Sequence, residues 1–239
     1  MPRANRFHVP NAVWHITHRC HDRQFLLRFE CDRLRWKYWL FEACKRYGLV
    51  VLNYVATSNH IHLLVLDSLP GSIARAMQLV AGRTAQEYNQ RKSRRGAFWE
   101  DRYFATAVAT DQHLVRCLVY IDLNMVRAGA VDHPAKWRVC GHNEIQSPPR
   151  RYRIIDWPRL CHLTGFTDMA NFQVAHKSWV DNSLRIGDLE RQPQWSESIA
   201  IGPPSYVEQI KGDLGIKAIY RTVVAESEDD CMIKESSLD

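Results

Sequence analysis

The sequence lacks any apolar run of the roughly 18 residues that a membrane-spanning helix needs, and none follows its basic N-terminus. Its seven cysteines include no Cys-x-x-Cys pair, and only an isolated Cys-x-His pair occurs, Cys140 and His142. No internal repeat is present. These absences exclude a membrane protein, a disulfide scaffold and a solenoid. They predict a cytoplasmic chain with reduced thiols and no membrane partner.

Charge is unevenly distributed along the 239 residues, whose formal net charge is +6. The last fifteen residues, 225–239, hold six acids and one lysine, a net charge of −5. The first 224 residues therefore carry about +11. A basic body predicts a polyanionic partner, and a nucleic acid fits better than a small acidic metabolite. We expect the acidic tail to be disordered, and our hypothesis for its role is that it occupies the basic nucleic-acid surface.

Hydrophobic periodicity predicts a split β-α-β arrangement in the first half of the chain. Alternating and helical patterns follow each other in the order β-α-β-β-α-β-α, with Asp111 expected to cap the last helix. This order is that of an α+β fold with a ferredoxin-like or RRM-like antiparallel sheet, plus one extra helix. The predicted strands are 12–20, 49–56, 60–66 and 102–109, and the predicted helices are 30–48, 72–89 and 111–127.

Proline usage changes beyond about residue 132, where prolines recur every ten to twenty residues. We therefore predict three units. Residues 1–132 form the α+β domain, residues 133–224 a helical, loop-rich C-terminal appendage for DNA binding or regulation, and residues 225–239 the acidic disordered tail.

Two histidines, His60 and His62, are separated by one residue in a predicted strand. Because side chains alternate across a strand, both imidazoles lie on one face, with Cα atoms about 7 Å apart. Two neutral imidazoles so placed suit a divalent metal ion, although an isolated His-x-His pair is more often two ordinary half-buried histidines. Their position at the end of the strand favours a site.

The predicted helix 111–127 carries a polar face opposite its apolar face. Tyr120 is centred on that polar face, and Asn124 lies four residues later, so the two are neighbours on the helix surface. A phenolate is a competent nucleophile toward phosphorus, and the Asn124 amide oxygen can serve as a third metal ligand. Arg116 and Arg127 are placed to hold phosphate oxygens. Asp122 falls on the apolar side, and the sequence offers no explanation for it.

Two segments carry a resemblance to a known family. SNHIHLLV, residues 58–65, resembles the histidine–hydrophobe–histidine strand of HUH endonucleases. YIDLNMVRAG, residues 120–129, resembles the tyrosine helix of IS200-like single-tyrosine transposases associated with repetitive extragenic palindromes (REP), with Met125 where proline is usual. Residues 12–20 and 98–104 also resemble that family, and residues 195–207 resemble a segment of its longer members. The resemblance covers about residues 5–145 well and the remainder loosely.

The resemblance implies an enzyme that cuts and joins single-stranded DNA beside a hairpin. Tyr120 would stay bonded to the new 5′ end and leave a 3′ hydroxyl, while His60, His62 and Asn124 would hold Mg²⁺ or Mn²⁺. Because the bond energy is kept in the phosphotyrosine, rejoining would need no ATP. We expect a monomer acting in cis in preference to a homodimer that exchanges tyrosine helices.

Basic and aromatic residues are the predicted DNA contacts. Two loops supply most of the charge, and for Trp99 a core position is an equal alternative to base stacking. The candidates are Arg91, Lys92, Arg94, Arg95, Trp99, Arg102, Arg116, Arg127, Arg150, Arg151 and Arg153.

Three other functions remain open from the sequence. A non-catalytic RRM-like nucleic-acid-binding protein would share the fold, but it would place aromatic residues where His60 and His62 stand. A metal-dependent hydrolase that activates water would not need Tyr120. An HUH replication or mobilisation initiator would share the whole site and differ only in its DNA substrate.

Overall fold

The computed structural model describes residues 9–110, 112–187, 189–215, 221–225 and 230–235. Within these ranges the strands are β1 Val13–Arg19, β2 Val50–Ala56, β3 His60–Leu66, β4 Phe104–Val108, β5 Ala200–Gly202, β6 Arg221–Ala225 and β7 Cys231–Glu235. The α-helices are α1 Glu30–Tyr47, α2 Ser72–Arg91, α3 Gln112–Asp122, α4 Asn124–Arg127, α5 Gly141–Gln146, α6 Trp157–Leu163, α7 Met169–Ile186, α8 Gln194–Glu197 and α9 Pro204–Leu214. Across the described ranges, none of these helices combines the length and apolar character needed to cross a membrane.

One sheet of seven strands organises the molecule, in the order β2-β3-β1-β4-β5-β7-β6. The first four strands are mutually antiparallel, and β1 lies between β3 and β4. This arrangement is the split β-α-β sheet that the sequence predicts, so the α+β fold class is confirmed. The remaining strands extend the sheet, because β5 pairs in parallel with β4 and β7 joins β5 to β6.

The turn between β2 and β3 fixes where the first predicted histidine stands. Thr57 Oγ1 donates to the carbonyl oxygen of His60 at 2.8 Å and accepts from its backbone N–H at 3.0 Å. Hairpin pairing then aligns Ala56 with Ile61, and Thr17 of β1 with His62. Because cross-strand neighbours share a face, the imidazoles of β3 lie on the sheet face that also carries His15.

Helices cover both faces of the sheet. Helices α1 and α2 pack together, and α1 ends at Gly48, whose φ of 63° is the left-handed conformation that glycine favours. Helix α3 contacts β2, β3 and β4 on the opposite side, the side of the histidines. Leu114, Leu118 and Ile121 of α3 are fully buried there.

The helix predicted for residues 111–127 is interrupted. Helix α3 ends at Asp122, Leu123 has φ −78° and ψ 1°, and α4 begins at Asn124. The predicted cap, Asp111, lies outside the described residues. The predicted polar face is also not a solvent face, because Cys117 and Tyr120 are buried along with the apolar side chains. This helix lies between the sheet and the C-terminal half, which bury its two sides.

The prediction of a disordered tail from residue 225 is wrong for residues 231–235. These residues form β7, whose Cys231, Met232 and Ile233 are buried between β5 and β6. This apolar triplet offsets the loss of chain entropy that keeps acidic segments disordered. Residues 226–229 and 236–239 lie outside the described part of the chain. The predicted appendage contains α5 to α9, but its strands join the sheet of the first half.

We predict that Ile233→Ala lowers the free energy of unfolding by about 2–5 kcal/mol, because Ile233 is fully buried in the extended sheet. Urea titration followed by circular dichroism measures the change. Val224→Ala, at an exposed position of the neighbouring strand, is the matched control and should cost less than about 0.5 kcal/mol. Equal, negligible effects of both substitutions would mean that β7 does not pack in solution.

Candidate active site

His60 and His62 stand together at the start of β3, with their ring centroids 4.9 Å apart and their planes nearly perpendicular. Nδ1 of His60 lies 2.7 Å from Oδ1 of Asn59 and 3.0 Å from Oγ1 of Thr57. The turn therefore occupies one ring nitrogen of His60. Nε2 is the nitrogen that remains to bind another group.

His62 is held by a chain of hydrogen bonds that begins at a backbone carbonyl. Nδ1 of His15 lies 2.8 Å from the Trp195 oxygen, and because a carbonyl only accepts, Nδ1 of His15 must donate. Nε2 of His15 then accepts from Nδ1 of His62 at 2.9 Å, when both rings are neutral. Nε2 of His62 is left with its lone pair, directed at the Asn124 amide 2.9 Å away.

Tyr120 reaches the same group of side chains from α3. Its ring lies edge-on to His62, with the centroids 5.8 Å apart, and 6.0 Å from His15. The guanidinium of Arg127 lies 4.0 Å above the tyrosine ring and donates to the Tyr120 carbonyl oxygen. The structure therefore brings Tyr120, His62 and Asn124 together, although about sixty residues separate them in the chain.

Burial keeps the site's histidines neutral. Burial lowers the pKa of His60 to about 4, and burial with the nearby His60 lowers that of His62 well below 6.5. Burial also raises the pKa of the Tyr120 phenol above 10, against the opposing effect of the Arg127 charge. Near neutral pH the imidazoles therefore offer lone pairs, while the phenol holds its proton.

The donor atoms of this site fit a divalent metal ion. Two neutral imidazoles are metal ligands, and the Asn124 amide provides an oxygen once it turns toward the shared space. His15 is the kind of outer partner that orients a metal-bound histidine. The sequence did not predict this role, because His15 joins the site only through the register of β1 against β3.

A cavity of about 200 Å³ opens beside Tyr120, between the tyrosine helix and α7. Arg116 and Arg127 line one part of it, while Trp179 and Asn182 of α7 line another. The two arginines predicted to hold phosphate are thus both at the tyrosine. Asp230, which precedes β7, contacts Arg116 at 3.0 Å and His113 at 2.5 Å.

The two predicted basic loops lie at opposite ends of the sheet. Residues 91–96 lie at the His60 end of the sheet. There Cys20 pairs with Trp99, and the backbone N–H of Cys20 donates to the Asn59 carbonyl oxygen at 2.8 Å. Residues 150–153 are exposed but precede Ile155, which pairs with Val51 at the other end of β2. Only the first loop therefore lies near the histidines.

The other predicted DNA contacts differ in their exposure and in the contacts that they already make within the protein. Arg91 forms an ion pair with the buried Asp32, while Lys92, Arg95 and Arg102 are exposed. Trp99 is half-buried, stacks on His18 with the centroids 4.2 Å apart, and donates to the Ala81 oxygen at 3.0 Å. These contacts place Trp99 in the packing between α2 and β1.

Asp122, which the sequence left unexplained, belongs to a buried polar cluster. Its carboxylate accepts from Asn53 Nδ2 at 2.9 Å and from His176 Nε2 at 2.7 Å, and His142 Nδ1 lies 3.7 Å away. Burial alone would raise the pKa of Asp122, but the two histidines outweigh it and lower that pKa below its usual range. An aspartate with two histidines in this geometry can hold a metal ion.

Comparison with known proteins finds one family profile that matches part of the chain. The sequence profile described as "Transposase IS200 like" matches residues 8–124, nearly half of the chain. The matched segment includes His60, His62, Tyr120 and Asn124. The profile describes transposases, the enzymes of DNA transposition. Residues 8–124 are thus similar in sequence to the IS200-like transposase family, the family that the motifs of the sequence predict.

Two solved structures are remotely similar. One is a REP-associated tyrosine transposase bound to a REP hairpin, with 14% identity over 66% of this chain and 95% of that chain, at a TM-score of 0.49. The other is a proposed transposase from Deinococcus radiodurans R1, with 17% identity over 44% of this chain and 84% of that chain, at a TM-score of 0.34. A comparison with curated protein sequences finds no significant match.

Acid should destabilise the fold through its buried histidines. Burial lowers the pKa of His15, His18 and His60 to about 4, against 6.5 in the unfolded chain. Between pH 6.5 and 4 the unfolded chain thus binds protons that the folded chain does not, so the free energy of unfolding falls as the pH falls. Urea titrations at pH 7, 6 and 5 measure this slope.

The His18→Gln substitution should make that slope shallower by up to about 1.4 kcal/mol per pH unit, the contribution of one proton. Glutamine keeps a donor for the Asp101 carbonyl oxygen, which His18 contacts at 2.8 Å. His162→Gln changes an exposed histidine of α6 and should keep the wild-type slope. An unchanged slope in His18→Gln would show that His18 titrates alike in both states.

Proposed function

We propose that this protein is an IS200-like transposase that nicks and rejoins single-stranded DNA through a 5′-phosphotyrosine on Tyr120. The observation that carries the proposal is the convergence of Tyr120, His62 and Asn124, with Arg116 and Arg127 lining the adjacent cavity. A nucleophilic hydroxyl, neutral metal ligands and phosphate-binding cations are the groups that phosphoryl transfer requires. A hydrolase or an RNA-binding module would have no need for this set around a tyrosine.

The proposed step exchanges one phosphodiester for another. The Tyr120 oxygen forms a bond to phosphorus while the bond from phosphorus to the 3′ oxygen breaks. The phenol proton leaves Tyr120, and the departing 3′ oxygen takes up a proton to become the 3′ hydroxyl. No bond energy is lost to hydrolysis, so a second 3′ hydroxyl can reverse the step on another strand without ATP.

The residues of the chain have separate tasks in this step. Arg116 and Arg127 hold non-bridging phosphate oxygens, and the Arg127 charge favours the phenolate. His15 orients His62 through its carbonyl-anchored ring. A divalent cation, Mg²⁺ or Mn²⁺, bound by His60, His62 and Asn124 would polarise the phosphoryl group.

The proposed substrate is hairpin DNA of the REP type with an unpaired flank. The motif of residues 120–129 supports this substrate, as does the basic loop 91–96 at the His60 end of the sheet. A replication or mobilisation initiator would use the same site on other DNA. Since Tyr120 and His62 of one chain already meet, we propose action as a monomer.

We predict that Tyr120→Phe abolishes both nicking and the covalent protein–DNA adduct, because the ring stays while the nucleophilic oxygen is lost. A 5′-labelled and a 3′-labelled hairpin oligonucleotide with Mn²⁺, resolved on denaturing gels, separate cleavage from adduct formation. Tyr152→Phe, at an exposed tyrosine, is the matched control and should cut normally. Wild-type cleavage by Tyr120→Phe would assign the reaction to activated water instead.

The acidic C-terminal segment is proposed to compete with DNA for Arg116. Asp230 offers two carboxylate oxygens to that guanidinium, as a phosphate would. Asp230 is therefore the residue through which the acidic tail would cover the proposed DNA surface.

We predict that Asp230→Asn strengthens binding of the hairpin about two- to fivefold at low salt, the range expected for loss of a partly exposed ion pair. Fluorescence anisotropy with the catalytically inactive Tyr120→Phe protein measures binding alone. Asp213→Asn, in α9, makes the same charge change at an exposed position. If both variants gain equally, net charge is responsible and Asp230 does not compete for Arg116.

A further inference from the structure

We infer that Asp122, His142 and His176 form a second metal site that binds a divalent transition-metal ion such as Zn²⁺. The site is separate from the proposed nicking centre. It requires no DNA, and it joins the tyrosine helix to the C-terminal half of the chain.

Three elements supply the ligands. Asp122 ends α3, His142 lies in the first turn of α5, and His176 is in the middle of α7. One atom from each, Asp122 Oδ2, a ring nitrogen of His142 and one of His176, lies within 4.8 Å of the other two. Two imidazoles and one carboxylate suit zinc and its transition-metal neighbours better than magnesium.

The buried ring of His142 is the feature that indicates a bound ion. Its side chain is 97% buried, since only 3% is exposed. Within the described residues its Nδ1 has no hydrogen-bond partner, and the nearest carboxylate oxygen, that of Asp122, is 3.7 Å away. Burying a polar nitrogen without a partner is unfavourable, because the nitrogen loses its hydrogen bond to water. A metal ion between His142 and Asp122 would satisfy it.

His176 is already held as a metal-bound histidine would be. Nε2 faces the Asp122 carboxylate at 2.7 Å, and Nδ1 lies 2.9 Å from the Gln146 amide. The ion would take the place of the proton on Nε2, and the neutral ring would then carry its one proton on Nδ1. The Gln146 amide can turn its oxygen to accept from that Nδ1 proton.

The ligand set also accounts for the isolated Cys-x-His pair of the sequence. His142 belongs to the cluster, whereas Cys140 does not, because its thiol donates to the Trp137 carbonyl oxygen at 3.0 Å. The matching half is Asp122 and His176, from distant parts of the chain. Asp122 lies two residues from Tyr120, so the ion would fix the end of the tyrosine helix against α5 and α7.

Zinc content of the full-length protein tests the site. Two background substitutions, His60→Gln and His62→Gln, remove the nicking centre's ligands, so bound metal reports the second site alone. After treatment with a chelator, incubation with Zn²⁺ and desalting, we expect one zinc per chain by elemental analysis. Adding His142→Gln should remove that zinc, while leaving the His176–Asp122 hydrogen bond intact. His162→Gln, at an exposed histidine, should retain it.

Thermal unfolding supplies an independent measurement. Zn²⁺ should raise the Tm of the His60→Gln/His62→Gln protein and leave the Tm of the His142→Gln addition unchanged. If the protein with the added His142→Gln substitution does not fold, the parent His60→Gln/His62→Gln protein is tested with Co²⁺, which should give visible ligand-field absorption. Zinc retained after His142→Gln, or no zinc and no Co²⁺ spectrum in the parent, would overturn the site and leave the cluster as a hydrogen-bonded network. Neither result bears on the proposed nicking, which Tyr120→Phe tests.

Discussion

The Trp195 carbonyl oxygen determines which ring nitrogen of His62 carries a proton and which keeps a lone pair for a ligand. It accepts from Nδ1 of His15, so Nε2 of His15 accepts from His62, and His62 presents a bare Nε2 toward Asn124. Each ring in this chain is buried and neutral, because charging either one would require a buried cation beside Arg127. A single backbone oxygen, remote in sequence, therefore sets the chemical state of the histidine that lies nearest to Tyr120.

Tyr120, on helix α3, is buried by the same C-terminal half of the chain. Its helix is mostly buried, because the sheet covers one side and the C-terminal half covers most of the other, although Gln112 and Arg116 stay exposed. Asp122 at the end of this helix points inward, where His176 and Asn53 satisfy its carboxylate. The burial that raises the pKa of the phenol would also limit the access of water to a phosphate held at Tyr120. In the proposed reaction the metal ligands and the two arginines would stabilise the charge of that phosphate in place of water.

Local sequence patterns are sufficient to predict those features of the fold and of the site that depend on neighbouring residues alone. The alternation around Ile61 predicts that His60 and His62 share a face, and helical spacing predicts that Tyr120 neighbours Asn124. The order of strands and helices is sufficient for the split β-α-β sheet. By contrast, His15 enters through strand register, Asp122 through contacts with residues 142 and 176, and β7 through pairing with a strand about thirty residues earlier. Each of these is a non-local contact that no single segment encodes.

The boundary predicted near residue 132 marks a change in the sequence, but contacts that support the candidate site cross it. The family match ends at residue 124, yet the carbonyl that orients His15 is at Trp195, and Trp179 lines the cavity beside Tyr120. Without the C-terminal half, Nδ1 of His15 would lose its acceptor and Asp122 would lose its histidines. The first loss leaves a ring nitrogen without its acceptor, at about 1–3 kcal/mol, and the second leaves the Asp122 carboxylate with Asn53 as its remaining partner. The first half thus contains the groups proposed to react, and the second half supplies contacts that hold them in place.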